Sequence, residues 1–548
     1  MPPTRCAPRP LPIARLRLPT LLVLAILVVT GAVAQEPDWP LTVVEASNYE
    51  RTSTLAETID FLQALQKRGA PLRLETIGHS TEGRPIVLVV CADPPVTSVA
   101  AAHYSGRPVV YVQANIHAGE VEGKDAVQIL LREIAQQPEH PLRQLVLVAT
   151  PVYNTDGNEA FGPCELHRPH QDGPALVGKR ANGMGLDLNR DCMKAESPEM
   201  RAALEHVYRR WNPDVILDLH TTNGTRHGYD LTYSPPLSPN THREILNYTR
   251  DHLLPTVRKK MTQQGFATFD YGNVDDPAQP TRWSTFSATP RFVSNYAGVR
   301  GRIGILSEAT SYLPFSRRVA VTLAFVRTVL LEITAQRGSI LTMTAEVDAE
   351  ATRWGLAPTT AEPLGTAFEL ATRGSEKVPL EPFAQRPQST SAAPTALADY
   401  EIEIYDRFRA TATARLPRAY AISSAYPEAV ELLLRHGIVV ERLDAPWTGS
   451  MAQLRMAEVK RAKRQFQGHA MVTVSGEFES RTDTLPAGTF IIRTAQPLAR
   501  LAFHLLEPTS RDGLTAWNFL DRGLREKRLH PVLKIDQQLH ASTHVVQP

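Results

Sequence analysis

Between residues 40 and 340 the chain alternates short β-branched apolar runs with longer stretches of helical period. Ile86–Cys91, Val109–Ala114, Leu145–Thr150, Val215–Leu219 and Ile303–Leu306 are almost unbroken by polar residues, the pattern of strands buried on both faces. Between them, Val121–Gln137, Pro198–Trp211 and Arg317–Gln336 repeat apolar positions at helical spacing. Buried strands separated by helices predict an α/β sheet with helices on both faces.

The pattern changes after this region. Residues 355–398 are rich in Pro, Ser, Thr and Ala, as in Gln388-Ser389-Thr390-Ser391-Ala392-Ala393-Pro394, and read as a linker or surface segment. Residues 400–548 return to globular composition, with strands at Glu401–Tyr405 and Thr489–Ile492 and helices at Pro427–His436, closed by Gly437, and Ala495–Leu506. They form a smaller α+β or β-rich accessory domain in this reading.

The N-terminus reads as an address. Arg5, Arg9, Arg15 and Arg17 precede the apolar run Leu18–Val29 and a small-x-small ending at Ala34. That order of basic region, apolar region and cleavage site is a secretory signal peptide spanning residues 1–34. The apolar run is short of the ~20 residues a bilayer-spanning helix needs, and no later segment is apolar enough to span. The mature protein is therefore expected to be exported, periplasmic or extracellular, without a membrane span.

Composition adds exclusions. Hydrophobic residues make up 43% and charged residues 21% of the 548 residues, enough for a sizeable core without disulfides. The formal charge of +2 becomes −2 without the four N-terminal arginines, and neither value suggests nucleic acid as a partner. Cys91 lies in an apolar run, Cys164 and Cys192 are candidates for a disulfide, and no CxxC spacing supports a thiolate metal site.

Candidate chemistry sits at the ends of the apolar runs. After Val109–Ala114 come His117 and Glu120, spaced to present an imidazole and a carboxylate on one side of a turn. Val215–Leu219 delivers His220, and Ile303–Leu306 runs into Glu308. In an open α/β sheet these carboxyl ends share one edge, where sites form. Two His and one Glu leave a zinc ion an open position for water, and a further carboxylate can take a proton there. Arg180, Asp187, Asn189 and Arg190 lie between, and an adjacent Asn and Arg suit capture of a carboxylate.

The order HxxE, Asn154-Thr155-Asp156-Gly157, Asp187-Leu188-Asn189-Arg190, strand-His and strand-Glu resembles the carboxypeptidase A-like zinc metallocarboxypeptidases. The likeness spans about residues 45–340. It suggests a bacterial, exported member with a C-terminal accessory region and a catalytic domain over residues 40–340, built on a mixed, mainly parallel twisted sheet. The resemblance implies one zinc ion per chain on His117, Glu120 and His220, with Asp187 orienting the first histidine. It makes Glu308 the general base, Arg180 the group that steadies the oxyanion, and Asn189 and Arg190 the pair that binds a terminal carboxylate. Tyr296 is the candidate for the substrate-contacting tyrosine. The substrates implied are peptides with a free C-terminal carboxylate, and cell-wall stem peptides suit an exported enzyme.

One departure stands out: Gly119 precedes the zinc glutamate, where digestive members carry an arginine. Two other functions share these residues: an N-acyl amino acid deacylase of the aspartoacylase or succinylglutamate desuccinylase type, and a zinc-containing binding protein without turnover. Gly119-x-x-x-Gly123-Lys124 falls one residue short of a phosphate loop. His167 and His170 read as a solvated loop, and Lys460–Arg464 as the solvated face of a helix.

Overall fold

A computed structural model describes residues 39–383, 394 and 396–547 of the chain. The signal-peptide reading of residues 1–34 lies outside the described residues.

Eight strands form the central sheet: β1 (Leu72–His79), β2 (Pro85–Cys91), β3 (Val109–Ala114), β4 (Val146–Thr150), β5 (Val215–Thr221), β6 (Leu231–Ser234), β7 (Thr268–Asp270) and β8 (Ile303–Ala309). Their order is β1-β2-β4-β3-β5-β8-β6-β7. The centre, β4-β3-β5-β8, is parallel, whereas β1 and β2 join it antiparallel and β6 lies antiparallel to β8. Every residue of β3, β4, β5 and β8 is buried, so the continuous apolar runs locate them within a residue or two at the start. The mixed, mainly parallel sheet is as expected.

Strand alternation sorts side chains onto two faces. Val110 and Val112 pack with Leu130, Leu131, Phe325 and Val329 of the helices Glu122–Gln136 and Phe315–Ala335. Tyr111 and Ile216 share the opposite cluster with Trp211 and Tyr296, and also with Tyr420, Leu433 and Trp517 from beyond residue 400. The C-terminal region therefore covers one face of the central sheet. Residues from Trp39 onward form one compact unit.

That region is built on a seven-stranded sheet dominated by a long antiparallel hairpin, Trp447–Arg461 with Val472–Leu485. Its helices Pro427–Arg435 and Ala499–Leu506 match the expected ones, and Gly437 follows the first with φ +84°, the left-handed cap that glycine adopts without strain.

Several expectations need correction. Within 355–398, read as a linker, Leu364–Ala371 and Ser375–Leu380 are strands. Ser375–Leu380 pairs with Ala398–Tyr405, which itself pairs in parallel with Arg282–Ser284, so sheet pairing crosses the expected boundary. Residues 384–393 lie outside the described residues. Lys460 and Arg461 end a strand rather than lying on a helix, because the polar outer face of that strand hid its alternation. Cys164 and Cys192 are free, buried thiols, like Cys91. Among the described residues no single helix is long and apolar enough to cross a membrane.

Candidate metal centre

Three strand ends converge as the sequence suggests. After β3 the chain turns at Asn115, whose φ of +62° is a left-handed conformation that Asn tolerates better than most residues. Its side-chain amide donates to the carbonyls of Ala118 and Glu120, and the Glu120 N–H closes the turn onto the His117 carbonyl at 2.9 Å. His220 comes from β5 and Glu308 from β8, where the two residues are direct partners across parallel strands.

Nδ1 of His117 lies 3.1 Å from Glu120 Oε1 and 3.2 Å from Nδ1 of His220, which in turn lies 2.9 Å from Glu120 Oε2. The outer ring nitrogens are occupied: His117 Nε2 meets Asp187 Oδ1 at 2.9 Å, and His220 Nε2 meets Asp218 Oδ2 at 2.8 Å. Each outer Nε2–H donated to its aspartate leaves the Nδ1 lone pair pointing inward. A cation between them would take both lone pairs and the Glu120 carboxylate; without one, a proton on His220 Nδ1 meets Glu120 Oε2. The three ligand atoms lie within 4.8 Å of one another, so the residues fit a divalent ion with nitrogen and oxygen ligands.

Electrostatics separate the two glutamates. Burial alone would raise Glu120, but His117 and the Arg168 guanidinium win and hold it well below the usual range. Burial pushes Glu308 up to about 8, with Glu120 adding to the rise against His220, Arg168 and Arg180. Burial opposes charge on His220, yet Asp218 and Glu120 raise it well above the usual imidazole range. For Asp187 burial is likewise overcome, by His117, Arg180 and Arg190, which keep it below the carboxylate range. Glu308 Oε2 is buried without a hydrogen-bond partner, a costly state unless it meets water or substrate.

The cleft is small, about 70 Å³, and Glu308, Arg180, Asn189 and Arg190 line it with the three ligands. Arg180 binds Asp187 at 2.9 Å and reaches Glu120 at 3.3 Å. The Arg190 guanidinium lies over the Phe292 ring, 4.3 Å from its centre. Asn189 is held more tightly, its amide nitrogen 3.2 Å from His220 Nε2 and its oxygen accepting from the Val293 N–H at 3.0 Å. A larger cleft of about 680 Å³ runs along Ile59, Gln63 and Val87, but the metal-ligating cluster is elsewhere, so size does not locate the chemistry.

Tyr296 does not reach the cleft. It is fully buried in the helix Val293–Val299 and its hydroxyl meets Nδ1 of His436 at 2.7 Å; an aromatic ring on an apolar helix packed into the core. Tyr271 lines the cleft instead, with Phe286 and Phe292 beside it. Sequence reasoning missed Tyr271, which sits in a loop without periodic pattern. It also gave no role to Asp218, although Asp218-Leu219-His220 places both polar side chains on one face of a strand.

Arg168 was missed too, and it explains the glycine before Glu120. Its guanidinium donates to Glu120 Oε1 at 2.9 Å and to the carbonyls of Thr221 and Thr222. A Cβ on Gly119 would stand 2.8 Å from Arg168 Cγ. The glycine clears the path by which a distant arginine reaches the ligand. The discounted motifs are structural: Lys124 is buried against the Ser53 carbonyl and Asn158, and His167 Nδ1 meets the carbonyls of Val177 and Gly178.

What the sheet edge presents is the kind of centre that metal-dependent hydrolases use, with an open side toward a buried carboxylate. Comparison with known proteins narrows the class. Residues 58–285 match the family described as zinc carboxypeptidase. The match holds all three ligands and ends before Glu308. Carboxypeptidase 2 of Trichophyton tonsurans is 21% identical over 449 residues, 78% of this chain and 76% of its own. Carboxypeptidase D of Mus musculus is 31% identical over 216 residues, 34% of this chain and 15% of its own. A solved metallo-carboxypeptidase from Burkholderia cenocepacia is 16% identical, covering 52% of this chain and 70% of its own, with a TM-score of 0.38. Zinc is the family's metal, and the His-Glu-His group is where this chain could hold it.

Proposed function

We propose that the chain is an exported zinc carboxypeptidase that hydrolyses the last peptide bond of its substrate. The observation that carries this reading is the placing of Glu308, its Oε2 unbonded, in the same small cleft as His117, Glu120, His220 and Arg190.

A zinc ion on the three ligands would supply Lewis acidity toward water and the scissile carbonyl. Glu308 takes the proton of the attacking water and passes it to the leaving amine. Arg190, stacked on Phe292 and donating to the Asn189 carbonyl at 2.8 Å, turns its remaining donors to the terminal carboxylate, a charge-assisted contact that selects chain ends over internal bonds. Asn189 supports the same end of the cleft, although its amide oxygen already accepts from the Val293 N–H. Arg180 steadies negative charge on the carbonyl oxygen, which requires it to leave its contact with Glu120. Tyr271 replaces Tyr296 as the tyrosine facing substrate. Asp187 and Asp218 fix the two imidazoles.

In this reading residues 40–340 are the catalytic region and residues 400–548 an accessory region packed on it. Export rests on the basic-apolar-small pattern of residues 1–34, and cell-wall stem peptides are the substrate proposed for that location. The test is to incubate the mature protein with peptides, acyl amino acids and stem peptides and read products by mass spectrometry, with and without chelator. Loss of single C-terminal residues, abolished by chelation and restored by zinc, is expected. Turnover of acyl amino acids alone would move the assignment to a deacylase. A zinc-loaded protein that turns over nothing would be a binding protein.

A further inference from the structure

The long hairpin of the C-terminal region ends beside the metal centre. Phe466 and His469 exchange both backbone hydrogen bonds, at 2.9 and 3.0 Å, leaving Gln467 and Gly468 as the two central residues of a tight turn. Their φ values are +52° and +83°, the mirror-image turn that matches the twist of a hairpin. At the first of these positions Gly, Asn and Asp are preferred, because a left-handed backbone costs other residues about 1–2 kcal/mol. Gln467 is thus a poor residue for the turn it occupies. Strain of this kind, where the surroundings hold it, is a sign of use.

The side chain shows the use. Gln467 Oε1 accepts a hydrogen bond from the Asp187 backbone N–H at 2.9 Å, across 280 residues of chain. The Asp187 carboxylate holds His117 Nε2 with one oxygen and Arg180 with the other, each at 2.9 Å. One amide oxygen from the C-terminal region thus fixes the residue that orients a metal ligand and a substrate-facing arginine.

The turn itself is anchored. His469 Nε2 meets Glu196 at 2.9 Å and Nδ1 meets Asn518 at 3.0 Å. Phe466 stacks on Trp517 at 28°, with the Arg291 guanidinium over both rings and paired to Asp512 at 2.8 Å. A firmly seated turn can deliver an acceptor to one place. Asn would suit the backbone better but is one methylene shorter.

We propose that Gln467 is a positioning residue of the metal centre, holding Asp187 and through it His117 and Arg180; this rests on the zinc reading of His117, Glu120 and His220. The C-terminal region on this account completes the active site.

The test uses the full mature chain and separates the turn from the site. Gln467→Asn relieves the turn and shortens the reach, whereas Gln467→Met keeps the length and removes the acceptor. Gln467→Glu keeps an acceptor at that length. Zinc affinity is read by competition with a chromophoric chelator, alongside kcat, KM and melting temperature. Direct hydrogen-bond partners of ligands change metal affinity by roughly 10–100-fold; one bond further out, Asn and Met are expected to weaken zinc by about 3–10-fold and to lower kcat more than they raise KM. The melting temperature of the Asn variant should stay level or rise, and Glu should recover most of the zinc affinity. Wild-type zinc affinity and kcat in both the Asn and the Met variants would overturn the proposal. A wild-type chain that binds no zinc would overturn the reading of the site as well.

Discussion

The carboxyl ends of β3, β5 and β8 and the long hairpin beyond residue 440 are both rich in charge, and charge behaves differently in each. At the strand ends Glu120, His220 and Glu308 are buried; burial raises the proton affinity of Glu308, while neighbouring charges outweigh burial to lower that of Glu120 and raise that of His220. On the hairpin Arg455 faces Glu479 across strands, with 47% and 45% of their side chains exposed, and Lys460 meets Glu458 in solvent. Water screens the second set, and exposed pairs of this kind contribute little. The lesson is that desolvation, more than the number of charges, makes a reactive group.

Three changes would sharpen or break this contrast. The largest effect belongs to Glu308→Gln, which removes the proton acceptor and leaves the ligands. Zinc content should stay at wild type while kcat falls by about 10²–10⁴-fold, the usual range for a positioned acid–base group. Full activity would place the base elsewhere.

His436 comes next. Burial holds it neutral, with its proton affinity lowered to about 3, between the Tyr296 hydroxyl and the Met193 carbonyl. In the unfolded chain it takes a proton below about pH 6.5. Its share of stability is therefore complete above that pH and is lost as pH falls toward 3, at up to about 1.4 kcal/mol per pH unit. Denaturation curves of His436→Gln should lose this part of the acid slope between pH 6.5 and 4.5. Parallel slopes for variant and wild type would show that the group is charged in the fold.

Arg455→Gln should do least. Its partner Glu479 stays solvated, so the melting temperature and kcat/KM are expected to match wild type. A clear drop in either would mean that the hairpin's outer face is used.

What could be read from the sequence follows the same division. Strands buried on both faces, such as Val109–Ala114 and Val215–Thr221, announce themselves as apolar runs, and the candidate ligands and base lie at or just past their carboxyl ends. Edge and outer strands do not: Leu72–His79 alternates weakly in burial, and the polar outer face of Trp447–Arg461 passed for a helix. The cleft's remaining residues come from loops. Arg168 and Tyr271 lie in segments without period, and Gln467 arrives from a turn whose own preferences argue against it. Tyr296 was misplaced because an aromatic ring on an apolar helix reads alike whether it faces substrate or core.

The pairing of Glu308 with His220 across β5 and β8 has a further meaning for change over time. Base and ligand sit opposite each other on two strands of one hydrogen-bonded ladder, so a shift of either along its strand comes in steps of about 3.3 Å. A one-residue insertion in either strand would turn one side chain to the opposite face, and a two-residue insertion would carry it about 6.6 Å along the strand. The pairing of base and ligand can therefore only be kept whole or lost in a single step.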